Sequence, residues 1–269
     1  MTQPIMIADA DDPRLDDYRR LKLPDRRMLE ERSGGFFIAE GSIVVQRALD
    51  AGLGSSVRSV LAIPAQYDIL ASSLANIVAP TYIVTPNLLQ GVVGFDLHRG
   101  VVAAIHRPTT RNASEILADV GIRTVVALEN INDFENLGSI FRSATALGAD
   151  AVLLGPQCCD PLYRRCVRVS MGNVLTLPYA VTESWPEAIV TMQTAGFRVL
   201  AFTPSGTTSF KSLTRQPNDR VVIALGAEGP GLTAATLASA DDRVTIPMHN
   251  AADSLNVSVT AAIALHHLI

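Results

Sequence analysis

Three short runs hold the polar residues whose types and spacing could do chemistry, and each one follows an apolar segment. The first is "ENINDFENLGSIFRSATALGA", residues 129–149, where Asn, Asp and Glu crowd in front of an amphipathic segment. Its polar spacing is N-x-G-x-x-x-R, from Asn136 through Gly138 to Arg142. Leu137, Ile140, Phe141, Ala144 and Gly148 recur at the interval of a buried helical stripe, and Arg142 falls off it. Asn136 is placed to cap the helix. Arg142 stands one turn above Gly138, where a missing side chain would let a partner come close. Arginine stays protonated in almost any setting, so Arg142 can act only as a cation and a donor. The plain alternatives are a cap with no further role and one more surface arginine.

The second run, "LGAEGPGL" at 225–232, sets Glu228 among three glycines and a proline. Such a loop brings backbone close to a ligand, or simply turns a strand into a helix. It is not a dinucleotide fingerprint, because the glycine spacing is wrong and the run comes late in the chain. The third run is "IPMHNAADSLNVSVTAAIALHHLI", residues 246–269. Asp253 or Ser254 is expected to cap a helix that is apolar on nearly every side and therefore buried. Asn256 and Thr260 form a narrow polar stripe on it. An unpartnered buried asparagine costs about 1–3 kcal/mol, so either the core or a ligand must satisfy it.

The elements needed to position these runs are legible as apolar periodicity. From "TVVALEN" onward, strands alternate with helices: "NLGSIFRSATALG", "AVLLG", "PLYRRCVRVSMG", "LTLPYAV", "WPEAIVTMQTAG", "RVLAFTP", "VVIALGAE", "LTAATLASA", "RVTIPM" and the last helix. That alternation predicts a mostly parallel α/β sheet covered on both faces, with ligands beyond the carboxyl ends of its strands. Residues 1–108 read as a smaller α/β domain, with strands at Phe36–Ala39, "VRSVLAIP", "APTYIVTP" and "GVVAAIHRP". The polar run around "TTRNASE" makes 109–121 a linker or helix entry, and 122–269 the second domain.

Composition narrows the function classes. The 269 residues are 48% hydrophobic and 18% charged, enough for a substantial core. No apolar run is long enough to cross a bilayer, and the acidic start lacks the pattern of a signal peptide, so a cytoplasmic protein without membrane partners is expected. Cys158, Cys159 and Cys166 lack metal-ligand spacing, and the five histidines form no metal pattern. A net charge of −4 argues against indiscriminate nucleic-acid binding but leaves room for local basic patches. Two are present: Arg14, Arg19, Arg20, Lys22, Arg26, Arg27 and Arg32, interleaved with acids, and Arg164, Arg165 and Arg168. On charge alone, each is equally a solvated helix face.

Taken in order, N-x-G-x-x-x-R, L-G-x-E-G-x-G and I-P-M…S-L-N-V-S closely resemble the motifs of the SpoU (TrmH) family of SPOUT RNA methyltransferases. The likeness covers 122–269 and includes "RVSMGNVLTLPYA". The first hundred residues are similar in style to the ribosomal-protein-L30e-like domain many members carry, best in "FFIAEGSIVVQRAL". The resemblance implies a trefoil-knotted C-terminal domain, S-adenosylmethionine as methyl donor, and a homodimer, formed through that domain, whose active site draws on both subunits. The implied reaction is methylation of a ribose 2′-hydroxyl in structured RNA, with ribosomal RNA favoured over transfer RNA. It places the cofactor on Thr203, Leu225, Gly226, Ala227, Gly229, Ile246, Met248 and Leu255. It places Arg142 beside the hydroxyl, with Asn136, Glu228, Ser254 and Asn256 positioning the arginine, the RNA and the cofactor. With RNA as the expected partner, both basic patches become candidates for phosphate contact. An aromatic content of 5% makes base stacking a minor mode. The alternatives are an RNA-binding or ribosome-associated protein with an inactive domain, and a doubly wound oxidoreductase, for which the glycine fingerprint is missing.

Overall fold

The computed structural model describes residues 3–21, 30–97, 99–249 and 253–269; Lys22, Arg26, Arg27 and His98 lie outside the described residues. The chain forms two compact units, Met1–Thr109 with Leu162–Thr176, and Thr110–Pro161 with Leu177–Ile269. Both units are α/β.

In the first unit, β1 (Ile5–Met6), β2 (Phe36–Glu40), β3 (Val57–Ala62), β4 (Thr81–Ile83) and β5 (Val101–His106) form a mixed sheet in the order β1-β4-β3-β5-β2. Helices α1 (Ser42–Asp50), α2 (Pro64–Leu74) and α3 (Pro86–Val93) connect the strands. Periodicity alone passed over β1, which is two residues long, and α3. The signals for α3 were present as local chemistry: Thr85 caps Leu88 N, proline opens the helix, and Gly94 closes it at φ 84°.

The segment Leu162–Thr176 packs with this unit, although it lies within the range 122–269 read from sequence as the second domain. Its helix α6 (Arg164–Val169) packs on β2. The Arg164 guanidinium pairs with the buried Glu40 carboxylate, donates to Leu21 O at 3.1 Å, and lies 4.9 Å from the Phe95 ring centre. Arg164 is therefore a structural cation, and the expectation that it contacts phosphate is corrected. A buried pair strands a charge if either partner is removed. In the other basic patch, Arg14, Arg19 and Arg20 form ion pairs with Asp12, Asp16 and Glu30.

The second unit is built on β6 (Thr124–Glu129), β7 (Ala151–Leu154), β8 (Tyr179–Val181), β9 (Arg198–Phe202), β10 (Thr208–Ser209), β11 (Val221–Gly226) and β12 (Asp242–Thr245). They form one parallel sheet in the order β10-β12-β9-β11-β6-β7-β8. Every residue of β6 and β7 is buried, which is why these strands read as unbroken apolar runs. Helices α4 (Ala113–Ala118), α5 (Phe134–Ala146), α7 (Trp185–Thr194), α8 (Ala234–Ser239) and α9 (Val257–Leu268) complete it. The polar run read as a linker holds α4, with a capping box between Asn112 and Glu115.

Three details of α5 and α9 depart from expectation. Asp133, not Asn136, caps α5, its Oδ1 accepting from Glu135 N and Asn136 N at 2.8 Å each. Gly148 does not continue the stripe; at φ 85° it ends the helix, with Ala149 N bonded to Ala144 O at 2.9 Å. Helix α9 is capped by Asn256 rather than by Asp253 or Ser254, and it leaves Val259 and Ile263 45% and 36% exposed. Gly138 is buried in the packed face of α5, so its clearance is used inside the fold.

Between β6 and α5 the chain turns sharply through Asn130, at φ 58°. Cys158 secures this turn, its thiol donating to Leu128 O at 3.2 Å and accepting from Ile131 N at 3.4 Å. Asparagine tolerates the left-handed conformation, whereas a β-branched residue does not. Asn130→Val is expected to lower unfolding free energy by about 1–2 kcal/mol in urea titration, and Asn130→Gly by only a few tenths.

Candidate active site

The carboxyl ends of β9, β11 and β12 open onto a cavity of about 460 Å³. That is the size of an ordinary small-molecule site. Its wall includes Thr203, Leu225, Gly226, Ala227, Gly229, Ile246, Met248 and Leu255, the residues assigned to a cofactor from sequence. Glu228, Ser254 and Asn256 line it as well. Sequence reasoning did not assign Phe202, Pro204, Gly231, Val244, Val257 and Thr260, which line it too. Phe202 and Pro204 flank Thr203 at the end of β9 and could have been found from that strand end. Val244 reads from sequence as an ordinary core residue.

The loop after β11 owes its shape to Gly226. A Cβ there would lie 2.2 Å from Gly231 C and 2.3 Å from Leu232 N, so the backbone crosses directly over this residue. Gly231 N closes the loop by donating to Ala227 O at 2.9 Å, at a φ of 71° that suits glycine alone. Any side chain at 226 would open the ring that holds Glu228 at the cavity.

Three polar side chains meet at that ring, one from the first turn of α5, one from the loop after β11 and one from the cap of α9. Asn136 Nδ2 donates to Glu228 Oε1 at 3.0 Å, and Asn256 Nδ2 donates to the same oxygen at 2.7 Å. Asn256 Nδ2 also donates to Asn136 Oδ1 at 2.9 Å, closing a triangle. The amide orientation follows from the helix. Asn256 Oδ1 accepts from Ser258 N at 2.8 Å and Ser258 Oγ at 2.6 Å, so its two amide hydrogens must face the other way. Capping α9 and orienting Glu228 are thus one act of one side chain. The question whether core or ligand satisfies Asn256 is settled by the protein itself. Thr260 Oγ1 returns to Asn256 O at 3.1 Å.

Arg142 stands apart. It is exposed, forms no hydrogen bond or ion pair with the described residues, and does not line the cavity. Six residues beyond Asn136 on a regular helix, it points about 240° around the axis from it. Among the described residues no His, Cys, Asp and Glu cluster could hold a metal ion, and no helix is long and apolar enough to cross a membrane. Near the same strand ends, burial pushes the Cys159 thiol up to about 12, which keeps it protonated and unreactive at neutral pH.

The triangle makes a pH-dependent prediction. Asn256→Asp keeps a helix-capping oxygen but sets a carboxylate against Glu228, and like charges raise the pKa of the pair. Protonation on acidification relieves the repulsion. The stability deficit of the variant against wild type, read from urea midpoints, should therefore be largest near pH 7 and shrink toward pH 4.

Known proteins resemble this chain in sequence and fold. Residues 123–266 match the SpoU rRNA methylase family. The chain is 44% identical to an uncharacterised tRNA/rRNA methyltransferase of Mycobacterium bovis, over 97% of this chain and 90% of that one. It is 30% identical to the 23S rRNA (guanosine-2′-O-)-methyltransferase RlmB of a Burkholderia species, over 67% of this chain and 73% of the relative. The solved structure of an AdoMet-bound rRNA methyltransferase from Sinorhizobium meliloti superimposes with a TM-score of 0.83 at 25% identity, covering 97% of this chain and 96% of that one. With the family match spanning the strand ends, the cavity and the polar triangle, the chain belongs to the SpoU rRNA methylase family, and so to the RNA methyltransferases.

Proposed function

We propose that the protein methylates a ribose 2′-hydroxyl in structured RNA, ribosomal RNA before transfer RNA, with S-adenosylmethionine as donor. The observation that carries this reading is the meeting of Asn136, Glu228 and Asn256 at the rim of a glycine-rich, aliphatic cavity. The residues present fit the donor. Leu225, Val244, Ile246, Met248 and Leu255 supply apolar surface for a flat base, and the glycine-rich loop exposes main-chain groups able to read its edge. The AdoMet-bound relative of similar fold and the 2′-O-methylating relative support the same reading.

S-adenosylmethionine, when bound, supplies a methyl group already electrophilic enough to transfer. The protein's task then falls on the nucleophile, since a ribose hydroxyl is weak at neutral pH until its developing charge is stabilised. Arg142, always protonated, clamps the adjacent phosphate through its planar fork and stabilises the emerging alkoxide. The proton leaves to a phosphate oxygen or to solvent. Asn136, Glu228, Ser254 and Asn256 position the reacting groups.

Arg142 is exposed and does not line its own cavity, so in this reading it serves the cavity of a second copy. The exposed Val259 and Ile263 on α9, which packs beside α5, give a homodimer an apolar face to bury. We take the second unit to be the trefoil-knotted domain. Arg215 donates to Leu268 O at 3.0 Å and to Thr124 Oγ1 at 2.8 Å, and the His267 ring meets Leu213 O at 3.1 Å; these bonds tie the last helix to the loop it would thread. The first unit is read as the ribosomal-protein-L30e-like RNA-binding domain, and the cytoplasm as the place of action.

Three experiments test the proposal. Mapping 2′-O-methyl groups in total RNA, with and without the gene, should reveal one ribose that depends on it. Label found on a base, or no transfer at all, overturns the reaction, and the latter outcome favours a binding protein. Arg142→Lys should reduce turnover about 100-fold while leaving cofactor affinity unchanged; full activity refutes the clamp. Co-expressed Arg142→Ala and Glu228→Ala subunits should regain activity that neither has alone, because one site of the mixed dimer is intact.

A further inference from the structure

The end of β6 holds a second carboxylate that the reading above does not use. Glu129 is 4% exposed and pairs in register with Gly226 at the edge of the cavity loop. Its Oε2 accepts from Thr233 N at 3.0 Å, and its Oε1 from Thr233 Oγ1 at 2.8 Å. Thr233 is the residue that caps α8 and follows the loop directly. The chain of contacts continues from Thr233 Oγ1 to Thr236 Oγ1 at 3.0 Å, and from Trp185 Nε1 to Thr236 Oγ1 at 2.9 Å. Thr236 is fully buried and Trp185 is 5% exposed.

Donor counting fixes the direction of this chain. The indole N–H can only donate, so Thr236 accepts from it. Thr233 spends its single hydroxyl hydrogen on the carboxylate, so Thr236 must donate to Thr233. Every donor therefore points toward Glu129, which ends the chain as an acceptor on both oxygens. Glutamine at 129 either turns its N–H₂ against the Thr233 N–H and breaks that bond, or donates to the Thr233 hydroxyl, which must then reverse and leave the Thr236 hydroxyl hydrogen without its acceptor.

We infer that Glu129 is a positioning residue: its carboxylate fixes the far end of the loop Ala227–Leu232, and through that loop sets the Glu228 carboxylate and the main chain of the cavity wall. The near end of the loop is held by the pairing of β11 with β6 and by the crossing at Gly226. With Thr233 released, the segment between keeps the contact of Gly231 with Ala227 and the bonds from Asn136 and Asn256 to Glu228, but its far end loses its side-chain anchor. Glu129 thus acts on the site through Glu228 and touches no reactant itself.

The inference deepens the proposed function and rests on its donor for one arm of the test. Calorimetry measures S-adenosylmethionine binding to full-length wild type, Glu129→Gln, Glu228→Gln and the double variant. Hydrogen exchange follows the amides of 227–233, with those of β3 as control. Glu129→Gln should weaken the cofactor about tenfold and speed exchange in the loop but not in β3. The double variant should bind little worse than Glu228→Gln, since the two residues act in series. Additive losses, or loop exchange and affinity both unchanged, overturn the inference. Thr233→Val, which keeps the N–H and removes the hydroxyl, should show the same changes to a smaller degree and decides the matter if Glu129→Gln does not fold. Wild type that binds no S-adenosylmethionine overturns the donor reading instead, and loop exchange then judges Glu129 alone.

Discussion

The site depends on the amide of Asn256, which faces two ways at once. Its oxygen is held by the first turn of the last helix, and this fixes where its nitrogen must point. The nitrogen then binds Glu228, in a loop 28 residues away, and Asn136, in a helix 120 residues away. Three strand ends that could drift independently are locked into one rim. Because the amide donors meet a carboxylate, the bonds are charge-assisted and short, with Asn256 to Glu228 at 2.7 Å.

The parallel sheet makes this possible and also requires it. Strands buried on both faces leave no polar position within the sheet, so the polar groups collect where the strands end. There the backbone turns through strained or glycine-only conformations, at Asn130, Gly229 and Gly231. Each of these turns is held by side chains close to it: Cys158 at the first, and Thr233 with Glu129 beyond the last two. A rigid core thus positions irregular loops, and the loops present main chain as well as side chains to the cavity.

The same principle explains where local reading failed. Asn136 and Asp133 both suit the start of a helix, and spacing alone does not say which of them caps. The structure gives the cap to Asp133, which frees the Asn136 amide for Glu228. Arg164 looked like part of a basic patch until Glu40, over a hundred residues earlier, proved to be its partner. The last helix is apolar nearly all round, yet Val259 and Ile263 remain exposed, because burial depends on what packs against a helix and not on its composition.

By itself the sequence determined the α/β class, the alternation of strand and helix, and the motif runs at 225–232 and 246–269 from which most of the cavity wall is drawn. Each of these is written in periodicity or in local motifs, which a contiguous run of residues can carry. Only the tertiary structure decided the order β10-β12-β9-β11-β6-β7-β8, the unit to which Leu162–Thr176 belongs, and the closing of Asn136, Glu228 and Asn256 into one triangle. It also decided that Glu129, unremarkable within "VVALEN", ends a buried chain of donors, and that Arg142 stays outside the wall of its own chain's cavity. The physical reason is common to all of these. Hydrogen bonds and burial are satisfied by whatever lies nearby in space, and residues a hundred positions apart become neighbours only when the sheet has formed.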